Sequence, residues 1–139
     1  MICEYLADKS AWARLNQAVV ADRLVPLVEQ GVVGTCGILD LELLVSARSG
    51  EDHAQLRAER RFAMERLPMP DEIWDRAIEV QGELAKIGQH RTVKLPDLLV
   101  AATAERHGVT VLHYDADYDR IGAVTGQPTE WVVPAGTAD

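Results

Sequence analysis

Asp8, Glu42, Asp97 and Asp115 are carboxylates carried by four separate stretches of this chain, and they are the residues best suited to chemistry. The ends of neighbouring elements in a parallel sheet converge at one rim, so these acids are expected to meet. Carboxylates packed together repel and take up protons unless a cation lies among them. Hard oxygen donors, with no paired histidines or cysteines, favour Mg²⁺ or Mn²⁺ over Zn²⁺. Such an ion lowers the pKa of a water, orients it and neutralises a leaving oxygen, so the chemistry implied is phosphoester hydrolysis. No serine or cysteine nucleophile beside a histidine is signalled, which makes covalent catalysis a poor fit. Asp40 shares apolar neighbours with Glu42, and spacing does not choose between them.

The elements that must position these acids centre on Lys94 to Gly108. Pro96 suits a first helical turn, Asp97 is favoured by the positive end of the helix dipole, and Gly108 is a natural stop. Residues 98 to 102 are apolar, so this helix is expected to be central. Val109 to Leu112 reads as a strand covered on both faces, with Asp115, Asp117 and Asp119 just past its carboxyl end, where sites in open α/β sheets lie. Upstream, Ile2 to Ala7 is a first strand, handing over at Asp8 to a helix from Ala11 with Ser10 as its N-cap. Asp22 to Gln30 is helical and Val32 to Cys36 a second strand. Ile38 to Ala47 and Glu51 to Arg66 follow as helices, the second of them polar. Leu67 to Pro70 is a break. Asp71 to Ile87 is a helix whose apolar side carries Ile73, Trp74, Ala77, Ile78, Leu84 and Ile87, with Trp74 in the core. Arg120 to Val124 is a short helical turn, Thr125 to Pro128 a turn, and Glu130 to Val133 an edge strand with Trp131 packing. Pro134 onward is a frayed tail. The sum is one α/β domain over 1–139, with a mostly parallel sheet flanked by helices.

At 139 residues the chain is one domain by size, and its net charge of −8 argues against strong nonspecific attraction to nucleic acid. A metal-loaded acidic site is still compatible with a nucleic-acid substrate. Two basic groups stand out as candidate phosphate contacts: Arg57, Arg60 and Arg61 on one helical face with His53, and Arg91 and Lys94 in the loop before Pro96. No stretch approaches a membrane span, and Met1 to Leu6 lacks the regions of a signal peptide, so a cytoplasmic protein is expected. Cys3 and Cys36 read as buried free thiols.

Four segments in series also carry a resemblance. Leu6-Ala-Asp8-Lys-Ser10, Thr35-Cys-Gly-Ile-Leu-Asp-Leu-Glu42, Leu95-Pro-Asp97-Leu-Leu-Val-Ala-Ala and Val111-Leu-His-Tyr-Asp115-Ala-Asp117-Tyr118 resemble, in order, the acidic motifs of PIN domains. The particular flavour is similar to the VapC toxins of type II toxin–antitoxin pairs. Trp12, Thr125-Gly-Gln and Glu130-Trp131-Val-Val resemble an actinobacterial branch of them. The resemblance implies a PIN-like fold and a Mg²⁺- or Mn²⁺-dependent endoribonuclease that cuts a structured RNA such as a tRNA or rRNA. It also implies a cognate antitoxin partner and a homodimer. It implies Asp8, Glu42, Asp97 and Asp115 as the catalytic and metal-binding tetrad, selecting Glu42 over Asp40. Asp117 would be an auxiliary metal ligand, and Ser10 would bond the first carboxylate or a metal water. His113 stands where Thr or Ser is common and is expected to pack behind the site.

Other classes fit less well. A receiver domain needs an acidic pair after its first strand and a late lysine. A haloacid-dehalogenase-like phosphatase needs Asp-x-Asp where this chain has Asp8-Lys9-Ser10. A non-catalytic PIN-type binding module would not require the full set of acids.

Overall fold

In the computed structural model, which describes residues 2–139, five parallel strands form one sheet in the order β3-β2-β1-β4-β5. Met1, the first residue of the opening segment considered above, lies outside the described residues. The strands are β1 (Tyr5–Ala7), β2 (Val33–Thr35), β3 (Glu65–Arg66), β4 (Thr110–His113) and β5 (Thr129–Trp131). Seven helices connect them among the described residues: α1 (Lys9–Trp12), α2 (Ala18–Glu29), α3 (Gly37–Leu44), α4 (Gly50–Ala63), α5 (Glu72–Lys86), α6 (Leu95–His107) and α7 (Asp117–Thr125). The expected α/β architecture with a parallel sheet is the one observed.

Strand alternation sorts the core into two layers. Leu6 and Val111, paired across β1 and β4, face a cluster built from α3, α5, α6 and α7. Their neighbours Ala7 and Leu112, also paired, face a second cluster with Val20 and Leu24 of α2. A one-residue slip would exchange the two sets, so the register is strongly specified. Helix α6 is buried from Asp97 through Thr103 and Ala104, the central helix its sequence predicts. Gly108 ends it at φ 67°, a left-handed position that glycine adopts without strain.

The strand order reverses between β1 and β4. One crossover leaves β1 toward β2 and β3; the other half of the chain fills β4 and β5. A crevice opens beyond the carboxyl ends at such a switch point. Asp8 follows β1 directly, and Asp115 lies just past β4.

Several expectations are corrected. Glu65–Arg66, read as the end of the polar helix, is instead β3, paired with Gly34 and Thr35 of β2. Both residues are exposed, so no apolar pattern marks the strand; charged side chains on a short edge strand are a common protection against pairing with other chains. Trp74 is 55% exposed, and Ile78 and Ile87 are exposed with it; the buried side of α5 is Ile73, Ala77, Val80 and Leu84. Ser10 is not the cap of α1. Asp8 is, its carboxylate accepting from the Ser10 backbone N–H. The segment after Pro134, read as a frayed tail, is tied down. Ala138 is 1% exposed, and its carbonyl accepts from Arg14 Nε and Gln17 Nε2, each at 3.0 Å.

Candidate active site

Asp8 is positioned twice over by its own turn. Its Oδ2 accepts from the Ser10 N–H (3.0 Å) and from the Ser10 hydroxyl (2.7 Å). That hydroxyl in turn accepts from the Tyr114 N–H at 2.8 Å, which ties the end of β1 to the end of β4. The other oxygen, Oδ1, accepts from the Tyr118 phenol at 2.7 Å. The same phenol lies 3.3 Å from Asp97 Oδ1, so a buried hydroxyl on α7 bridges the carboxylates of Asp8 and Asp97. Burial and the facing acids Asp8 and Asp97 hold that phenol well above its ordinary pKa, so it is a neutral donor.

Asp97 enters from the first turn of α6 and is 2% exposed. Its Oδ2 is buried with no hydrogen-bond partner. Burial, then Asp117 and Asp8, push its pKa up to about 8. Asp117, at the start of α7, is also buried, and burial works to raise its pKa. That tendency is outweighed by Asp97 and by Lys94, so its pKa lies below the ordinary carboxylate value. Asp115 accepts from the Asp117 N–H at 2.9 Å, which closes a tight turn between the two acids.

One oxygen each from Asp97, Asp115 and Asp117 lies within 4.8 Å of the others. This trio of hard donors, with one oxygen orphaned in the interior, fits a Mg²⁺ or Mn²⁺ ion. Asp117, expected as an auxiliary, is therefore inside the tight group, while Asp8 stands back on Ser10 and Tyr118. Of the tetrad that the resemblance implies, Asp97 and Asp115 lie in this trio, and Asp8 and Glu42 lie outside it.

Glu42 projects from α3 toward Asp8. Its Oε1 is buried and unpartnered, and burial followed by the Asp8 charge raises its pKa. Asp40, on the same helix, is engaged by other partners. Asp40 accepts from Arg60 Nε (3.0 Å) and from the Thr35 hydroxyl (2.8 Å), so its charge is already paired.

His113 is fully buried at the end of β4. The Asp115 N–H donates to its Nδ1 at 3.1 Å, so the ring proton is on Nε2, which has no partner. Burial lowers its pKa. The ring packs between Tyr118 and Trp131, with centroids 4.9 and 5.1 Å away. It sits behind the site and steadies the backbone of Asp115. Asp119 turns away, accepting from Trp131 Nε1.

The basic residues divide. Arg60 is bound to Asp40 and Thr35 and lies over the Trp12 ring, so it leaves the free stripe expected for it. Arg57 and Arg61 line an open cleft with Arg66. Arg91 is exposed in the loop before α6. Lys94 faces inward, its ammonium 2.9 Å from Asp115 Oδ2 and 2.8 Å from Asp117 Oδ2. Sequence reasoning assigned no role to Tyr118; the signal for it was an aromatic directly after Asp117, on the first turn of a helix.

The family model for the PIN domain matches residues 5–124. Ribonuclease VapC21 of Mycobacterium tuberculosis is 54% identical over 99% of this chain and 100% of its own length. Ribonuclease VapC18 of the same organism is 43% identical over 96% and 98%. Among solved structures, VapBC-1 from nontypeable Haemophilus influenzae superposes with a TM-score of 0.73 over 92% of this chain and 97% of that chain, at 18% identity. The DNA-bound VapBC of Salmonella typhimurium gives 0.72 over 94% and 99%, at 17% identity. With the acidic rim at the switch point and a match along almost its whole length, the chain belongs to the PIN-domain family, in its VapC group.

Proposed function

We propose that this chain is a divalent-metal-dependent endoribonuclease, the toxin of a type II toxin–antitoxin pair, hydrolysing phosphodiester bonds in a structured RNA. The observation that carries the proposal is the trio Asp97, Asp115 and Asp117 around an orphaned buried oxygen at the sheet's switch point. These three would hold Mg²⁺ or Mn²⁺. The ion, when bound, supplies positive charge for the scissile phosphate and acidifies a water. Tyr118 and Ser10 fix the Asp8 carboxylate so that it need not reorganise during the reaction. Glu42 has an uncommitted, partly desolvated oxygen beside Asp8, suited to orienting the attacking water and receiving its proton. Arg57, Arg61 and Arg91 offer exposed positive charge for the RNA backbone.

The partners proposed are a cognate antitoxin, an RNA and a second copy of the chain. An apolar groove lined by Trp12, Leu15, Val28, Leu43, Leu56 and Met64 suits an amphipathic antitoxin helix. Exposed Trp74, Ile78 and Leu95 frame a second apolar surface on α5 and α6 that suits the homodimer. No helix among the described residues is long and apolar enough to cross a membrane, and a cytoplasmic location accords with the RNA substrate.

The test is cleavage of total cellular RNA by the purified chain with Mg²⁺, with Mn²⁺ and with chelator, beside Asp8→Asn. Discrete metal-dependent products are expected, with the variant slower by about a hundredfold or more. Cutting in chelator, or Asp8→Asn cutting at the parental rate, would sink the assignment. No product under any metal, after bound partner has been stripped away, would leave a binding module.

A further inference from the structure

We propose that Lys94 is a tethered counter-ion that occupies the cation position of the carboxylate trio and is displaced when a divalent ion loads. Its ammonium lies 2.8 Å from Asp117 Oδ2, 2.9 Å from Asp115 Oδ2 and 3.6 Å from Asp97 Oδ2. These are the three carboxylates whose oxygens lie close enough to share one ion. An ammonium needs about 2.8 Å to each oxygen and Mg²⁺ about 2.1 Å, so the two cations require overlapping space between the same donors. They also repel each other. Occupancy is therefore exclusive.

The attachment of Lys94 suits this role. Its backbone N–H donates to Asp117 Oδ2 at 3.1 Å, so the residue stays at the rim whatever its side chain does. The side chain is 61% exposed, so its stem lies along solvent with little packing to hold it in place. Withdrawal breaks ion pairs and little else. The ammonium thus keeps the buried acids compensated while the metal is away, and it sets a threshold that an incoming ion must overcome. A second cation, Arg120, pairs with the other oxygen of Asp117, Oδ1, at 3.1 Å.

This inference rests on reading the trio as a metal site, and the test separates the two. Full-length protein, freed of metal, is titrated with Mn²⁺ by calorimetry beside Lys94→Met, which keeps the length of the stem and removes the charge. The variant is expected to bind Mn²⁺ about tenfold more tightly. In the parent, an amine-specific label read by mass spectrometry should modify Lys94 faster once Mn²⁺ saturates, while Lys9 and Lys86 hold constant. Equal or weaker affinity in the variant, or Lys94 labelling that Mn²⁺ leaves unchanged or slows, overturns the displacement while the metal site stands. Absence of Mn²⁺ binding by both proteins overturns the metal site and the displacement together. The labelling arm uses the parent alone, so it decides the matter if Lys94→Met does not fold.

Discussion

Replacing Asp97 by Asn should make the metal-free protein more stable at neutral and alkaline pH, and the structure sets the size of the effect. Asp97 is almost completely buried, and burial, Asp117 and Asp8 push its pKa from the ordinary 3.8 to about 8. A carboxyl with a raised folded pKa holds its proton more tightly in the native state than in the unfolded one. The stability contributed by that proton is complete below the unfolded value and fades as pH climbs toward about 8. Four pK units at about 1.36 kcal/mol each give a ceiling of roughly 5 kcal/mol. The same contact lowers the pKa of Asp117, which returns part of it, so about 2 kcal/mol is expected. Urea denaturation in chelator between pH 4 and pH 8 measures it. Parent stability should decline across that range, the variant should be nearly flat, and the curves should meet near pH 4. Saturating Mn²⁺ should then raise the parent by a few kcal/mol and the variant by much less. Parallel pH curves for the two proteins would show that Asp97 carries no raised pKa and would refute the reasoning.

Tyr118→Phe keeps the ring in its buried slot but removes the donor 2.7 Å from Asp8. A loss of about 1–3 kcal/mol in metal-free stability is expected, with kcat reduced and KM little changed; unaltered stability and kcat would contradict the bridging role. At Gly34, a Cβ would lie 2.6 Å from Cys3 Sγ and 3.1 Å from the Glu65 carbonyl, so Gly34→Ala should cost about 2 kcal/mol in urea denaturation. Adding Cys3→Ala should restore part of that loss, and a double variant no better than Gly34→Ala would place the strain elsewhere.

The legible parts of the sequence were those whose local chemistry and tertiary role coincide. Pro96 and Asp97 open a helix by its terminal preferences, and the apolar run after them is what burial requires. The acids at strand ends were visible because topology sends such positions to one rim. What stayed hidden depended on partners distant in sequence. β3 is two charged residues made into a strand by pairing with β2. Trp74 and Ile78 follow a helical period yet lie on a face the chain leaves uncovered. Asp8 takes the capping role from Ser10 because the serine hydroxyl is committed to Asp8 and Tyr114. The tail is pinned through the carbonyl of Ala138, a backbone contact that leaves no trace in residue type. Lys94 looked like a phosphate contact because nothing in spacing distinguishes a lysine facing out from one facing in.

The pairing of β1 with β4 has a consequence for when the site comes into being. β1 leaves a ribosome before α2 to α6 are made, and β4 with the start of α7 only after them, yet Asp8, Asp115 and Tyr118 meet only once those strands lie side by side. Contacts between distant segments form late, since the intervening loop must first be closed. A nascent chain emerging N-terminus first therefore carries an incomplete rim until β4 and the start of α7 have emerged. A rim built this way stays unassembled while every element between β1 and β4 is being made.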